Sequence, residues 1–155
     1  MLGKVGLLML TTNKTTIPGK AAVLGYAGVI PFAAAAALVT LGTASVRPVA
    51  LDGFLVYAAV ILSFLGGIRW GAASIARTGP GRELVISVLP SLWSAFFLWW
   101  PPDNLALWGL MTGFILMGLA DWFYPGPNVA AWMRPVRMRL TLAVVACHVV
   151  VLVGM

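Results

Sequence analysis

Arg69 and Asp121 are the residues whose types and surroundings would support chemistry in this chain. Each lies inside a stretch of membrane-crossing length, and they are the only opposite charges well inside such stretches. A charged side chain in hydrocarbon is costly and by default marks a partner or a function. Two chemistries are open. As an ion pair, Arg69 and Asp121 would latch two helices in register, each compensating the other in a low dielectric. As a ligand site, Arg69, Trp70 and Asp121 would hold a small hydrophobic or anionic ligand or pass a proton. The latch requires the two groups within ion-pair distance. If Asp121 faced only Arg137 or Arg139, Arg69 would need a separate role.

Other chemistry finds no set of residues to carry it. There is no nucleophile with a base in a recognisable motif, no phosphate-cradling glycine loop and no helix with two metal-spaced histidines, so no catalytic residue is assigned and an enzyme is not expected. His148 is the only histidine and Cys147 the only cysteine; neither has the partners a metal or cofactor needs, and His148 is expected to be a buried, hydrogen-bonded core residue. No cofactor and no metal are expected. The charge of +6 and a pI near 10.3 do not point to nucleic acid, because the basic residues other than Arg69 are spread in small groups at helix ends and form no patch with interleaved aromatics.

The elements that position Arg69 and Asp121 follow from composition. With 61% hydrophobic and 9% charged residues and a mean hydropathy of +1.00, the 155-residue chain is a polytopic membrane protein. Each crossing needs about 20 apolar residues. Five spans are predicted, at about 21–41, 52–76, 83–100, 104–124 and 136–153, after a flexible tail over 1–19. The fold class is therefore all-α, a five-transmembrane-helix bundle over 20–155. Pro31 falls within the first span, and Pro90 is expected to bend the third. Eight Lys and Arg residues flank one face (Lys4, Lys14, Lys20, Arg77, Arg82, Arg134, Arg137 and Arg139) against Arg47 on the other. The positive-inside rule then predicts a cytoplasmic amino terminus and an external carboxyl terminus.

On the second span, Ser63, Gly66, Gly67, Trp70, Gly71 and Ser74 fall within one arc of a helical wheel. Small residues at this spacing let a neighbouring backbone come close, so Ser63, Gly66, Gly67 and Gly71 are expected to form a packing seam. Gly109 and Gly113 mark a similar face on the fourth span, and the two faces are expected to meet. Trp99, Trp100, Trp122 and Trp132 sit near predicted interfaces as anchors, leaving Trp70 and Trp93 as candidate cavity residues.

Several segments together resemble one family. They are Tyr26-Ala27-Gly28-Val29-Ile30-Pro31-Phe32, Tyr57 with the run from Ile61 to Gly71, Ser87-Val88-Leu89-Pro90-Ser91-Leu92, Asp121, and Trp132 with Arg137 to Thr141. The chain resembles the transmembrane protein 69 family over about residues 20 to 153. The resemblance implies a five-helix integral membrane protein of bacterial or mitochondrial inner membranes and brings no established activity. Two functions compete: a structural, accessory or assembly protein that contacts the lipid bilayer, other membrane subunits or a second copy of itself, and a ligand-binding or transport module around Arg69, Trp70 and Asp121.

Overall fold

A computed structural model describes residues 19–75, 80–99, 102–125 and 132–155. Apart from Gly19, the tail expected over 1–19 lies outside the described residues, as do parts of the turns expected after the second, third and fourth spans. The described residues form six α-helices and no strand: α1 (Gly19–Ala27), α2 (Ile30–Leu41), α3 (Arg47–Ser74), α4 (Pro80–Trp99), α5 (Asp103–Phe123) and α6 (Met133–Gly154). Five segments are long and apolar enough to cross a membrane, the first being Ala22–Leu41. This is an all-α, multi-pass membrane protein.

The first span is two helices because of Pro31. Its ring nitrogen has no hydrogen to donate to the Ala27 carbonyl, so the ladder cannot run through. The chain turns at Gly28 and Val29, where the Gly28 amide lies 3.2 Å from both the Leu24 and Gly25 carbonyls. α2 restarts with proline in its first turn, where a missing donor is harmless. The Tyr57 hydroxyl, from α3, donates to the Gly28 carbonyl at 2.9 Å and ties the break to the bundle.

The second span starts at Arg47, five residues before the expected 52. Pro48 stands in its first turn, and Arg47 donates from Nε to the Gly42 carbonyl and from Nη2 to the Thr40 carbonyl, at 3.0 and 3.2 Å. These bonds satisfy acceptors that the end of α2 would otherwise leave free. α4 remains helical on both sides of Pro90, and Ser94 Oγ donates to the Pro90 carbonyl at 2.7 Å.

Helix contacts trace a closed ring, α2 to α3 to α4 to α5 to α6 and back to α2, with α3 and α5 also touching across it. Its centre is filled by Phe32, Phe54, Leu62, Leu107, Leu110, Phe114 and Val151, all essentially inaccessible. Each buried stripe repeats at three and four residues, the spacing that keeps one face of a helix against its neighbours. On α3 it runs Leu51, Leu55, Ala58, Leu62, Gly66, Arg69, Ala73; on α5 Leu107, Leu110, Phe114, Met117, Asp121; on α6 Arg137, Thr141, Val144, His148, Val151. The charges therefore stand at or next to the ends of these mostly apolar stripes: Asp121 last on α5, Arg137 first on α6 and Arg69 one place from the end on α3.

Candidate functional site

Arg69 is five residues from the end of α3, about 8 Å of helix, and Asp121 is two residues from the end of α5. Glu83 lies in the first turn of α4 and Arg137 in the second of α6. Antiparallel neighbours bring all four to the same end of the bundle. Arg69, 2% exposed, donates from Nη1 to Asp121 Oδ1 at 3.1 Å and from Nη2 to Glu83 Oε2 at 2.8 Å. Its Nη2 also reaches the Tyr124 carbonyl at 3.2 Å, an acceptor just beyond the end of α5. The second Asp121 oxygen accepts from Arg137 Nε at 2.7 Å, with Asp121 8% and Arg137 7% exposed.

The result is a chain of charges, Glu83 to Arg69 to Asp121 to Arg137, joining α3, α4, α5 and α6. Glu83 favours its position, since an acid in a first helical turn meets the positive end of the peptide dipoles. Asp121 at a helix end and Arg137 near a helix start lie the unfavourable way round, and only their pairing offsets it. Asp121 is the pivot because it alone touches two cations. The sequence reading placed Arg69 beside Asp121 and treated an Asp121–Arg137 contact as the competing arrangement; the structure has both contacts at once. It missed Glu83, and it took Arg137 as a topogenic charge or as an alternative partner of Asp121, not as a partner alongside Arg69. The signal was present in spacing: Arg137 heads the stripe that continues through Thr141, Val144 and His148, and Glu83 heads Glu83, Ser87, Pro90 and Ser94 on α4.

Trp70 does not join this cluster. One residue from Arg69, it is turned by about 100° around the helix, and it is 53% exposed on the outer surface. The expected seam is also redistributed. Gly66 is buried against α4, where a Cβ would come within 2.5 Å of the Ser87 carbonyl oxygen, and Ser63 is half-buried beside it. Gly67 and Gly71 face outward, with no atom within 4 Å of an added Cβ. The two small-residue faces do not meet: Gly109 is covered by the Phe97 ring and Gly113 by Leu62 and Trp93. The wheel arc was too wide, because a helix gripped by two neighbours on one side turns the rest of that arc to the surroundings.

Trp93 donates from Nε1 to the Gly109 carbonyl at 2.8 Å and lines an apolar groove of about 710 Å³ between α4 and α5. A second groove, of about 390 Å³, lies between α1, α3 and α6 and is lined by Trp132 and Arg137 among others. Neither groove is lined by Arg69, Trp70 or Asp121. His148 is fully buried among Phe32, Phe54 and Phe114, with the Phe54 ring edge-on at 4.7 Å. Its Nδ1 donates to the Val144 carbonyl at 2.9 Å, whereas Nε2 has no hydrogen-bond partner among the described residues. The expectation of a satisfied histidine is thus met on one nitrogen only. Among the described residues no group of three metal-ligating side chains comes together.

Comparison with known proteins places this geometry in a wider set. A family model described as a protein of unknown function, DUF3429, matches residues 17–153. The chain is similar to Transmembrane protein 69 of Xenopus tropicalis, 33% identical over 138 residues that cover 83% of this chain and 51% of that protein. It is also similar to Transmembrane protein 69 of Mus musculus, 32% identical over 141 residues that cover 88% of this chain and 56% of that protein. The chain thus spans about half the length of these relatives. No solved structure matches it.

Proposed function

We propose, given that this chain belongs to the DUF3429 family of proteins of unknown function, that it is a non-catalytic accessory or assembly protein acting through helix–helix contacts in the membrane. The observation that carries this reading is the direction of the charges. Both terminal nitrogens of Arg69 are engaged by Asp121, Glu83 and the Tyr124 carbonyl, so Arg69 binds helix to helix instead of presenting a free cation to a ligand. Breaking a buried pair on one side costs about 3 to 5 kcal/mol, enough to hold four helices in one register.

The outward face of α3 supports the second half of the reading. Gly67 and Gly71 are open, and small residues four apart admit another helix backbone. In native membranes the protein is expected to run as an assembly larger than its own 16.4 kDa. Replacing Gly67 and Gly71, where an added Cβ meets no atom of the bundle, by Leu should release it as the free chain. Native electrophoresis of mild-detergent extracts decides the point, and a wild-type chain running alone at its own mass overturns the reading.

The charged end of the bundle is assigned to the cytoplasmic face, because eight of the nine flanking basic residues lie on that side. A bacterial cytoplasmic membrane suits this topology, with the mitochondrial inner membrane as the alternative. A reporter fused after Met155 is expected to be active only when it folds outside the cytoplasm. Activity of a cytoplasm-dependent reporter at that position reverses the orientation.

A further inference from the structure

From the groove between α1, α3 and α6 we infer a binding site for an anionic phospholipid, with its phosphate at Arg137 and one acyl chain along the groove. The reading is independent of the accessory role proposed above. The groove holds about 390 Å³, inside the range of roughly 300 to 1,000 Å³ typical of small-molecule sites. Its walls are apolar, formed among others by Phe32, Phe64, Leu65, Phe114, Leu140 and Val144. Arg137 and Thr141 interrupt that lining with polar groups.

Arg137 supplies the head-group contact. It is more than nine-tenths buried, and its Nε is fixed by Asp121, yet its Nη2 is buried with no hydrogen-bond partner among the described residues. A guanidinium N–H left without an acceptor in an apolar wall is unfavourable, and an anionic oxygen removes that penalty. Charge balance favours an anion over a neutral head. Among the described residues Lys20, Arg69, Arg82, Arg134, Arg137 and Arg139 lie toward this end against Asp121 and Glu83, so cations are in excess. Arg134 donates to the Trp122 carbonyl and lies over the Trp122 ring at 5.4 Å, so no carboxylate among the described residues balances it.

Depth separates a lipid from a soluble anion. Arg137 lies four residues into α6, about 6 Å along the axis, where head groups sit. Val144 lines the same groove seven residues further in, about 10 Å deeper, which gives an acyl chain a continuous apolar wall below the phosphate. Gly25 and Gly28 line one side of this channel, where a Cβ on Gly25 would come within 3.2 Å of Leu140 Cδ1.

The test uses the full chain, equilibrated with vesicles of equimolar phosphatidylglycerol and phosphatidylcholine, re-extracted in mild detergent and washed. Lipid retained per chain is counted by mass spectrometry. Wild type is expected to retain phosphatidylglycerol over phosphatidylcholine by about tenfold: both offer a phosphate oxygen to Arg137, but the choline cation of the second is repelled by the basic residues at this end. Ile68→Trp fills the groove without touching a charge and should lower that retention by about as much; Leu24→Trp, from the outward rim, repeats the test should the first variant fold poorly. Arg137→Lys keeps the charge but loses the forked donors to the phosphate, and should lower the retention of both lipids while leaving the preference between them. Equal retention of both lipids by wild type, undiminished retention by the filled variants, or a polypeptide retained there in place of lipid overturns the site.

Discussion

Asp121→Leu is expected to be among the most damaging single substitutions in the protein, costing about 3 to 5 kcal/mol of stability in detergent. The carboxylate bridges two buried guanidiniums, at 3.1 Å to Arg69 and 2.7 Å to Arg137. Without it, Arg69 keeps Glu83 and the Tyr124 carbonyl, but Arg137 keeps no carboxylate among the described residues. Arg69→Met should cost less, because Asp121 retains Arg137 and Glu83, with a side chain 24% exposed, reaches water. The double variant should lose less than the sum of the two, since the pair shares a bond that each single change already removes. Thermal unfolding of the four proteins reads the cycle. Equal losses from the two single variants would remove Asp121 as the pivot, and strict additivity would show that the charges act separately.

Gly66→Ala and Gly67→Ala should part company although the two residues are neighbours on one helix. A Cβ on Gly66 would lie 2.5 Å from the Ser87 carbonyl oxygen and 3.3 Å from the Pro90 ring. Because the nearest atom is backbone, no rotamer change relieves it, and α3 and α4 must separate along the contact that orients Arg69 towards Glu83. Overpacking of this kind costs about 1 to 3 kcal/mol, and here it also lengthens a buried ion pair. Gly67 has open space at the same position and should gain up to about 1 kcal/mol from the better helix propensity of alanine. Melting temperatures that fall in one variant and hold or rise in the other are the expected result. A loss of similar size at both positions would mean that α3 packs through a different face.

Among the polar residues, the difference between what spacing told and what it did not is physical. That Arg69 and Asp121 needed compensation was legible, since two charges in membrane-length apolar runs admit few alternatives. That Glu83 joins the network, and that Arg137 holds Asp121 together with Arg69 instead of in its place, was not, because basic and acidic residues near helix ends are ordinarily solvated, and counting them by topology hides the ones turned inward. The stripe through Arg137, Thr141, Val144 and His148 contained the information. Reading it would have required treating a charge as a member of a buried face.

The sequence by itself determined the class of protein and the number of crossings. Apolar runs of about 20 residues have no other stable state in which every backbone group is satisfied, so helices and their approximate ends follow from local composition. The break of the first span ahead of Pro31 was not expected, although its cause, a missing backbone donor, is a property of one residue. Tertiary structure alone decided which neighbours each helix meets. All the faces are apolar or small, and in a bilayer the hydrophobic effect does not choose among them. The choice falls to close fit and to charge: Gly66 against Ser87, Phe97 over Gly109, and Asp121 between Arg69 and Arg137. Those contacts join residues far apart in the chain, at an end of the bundle that exists only once the spans have come together.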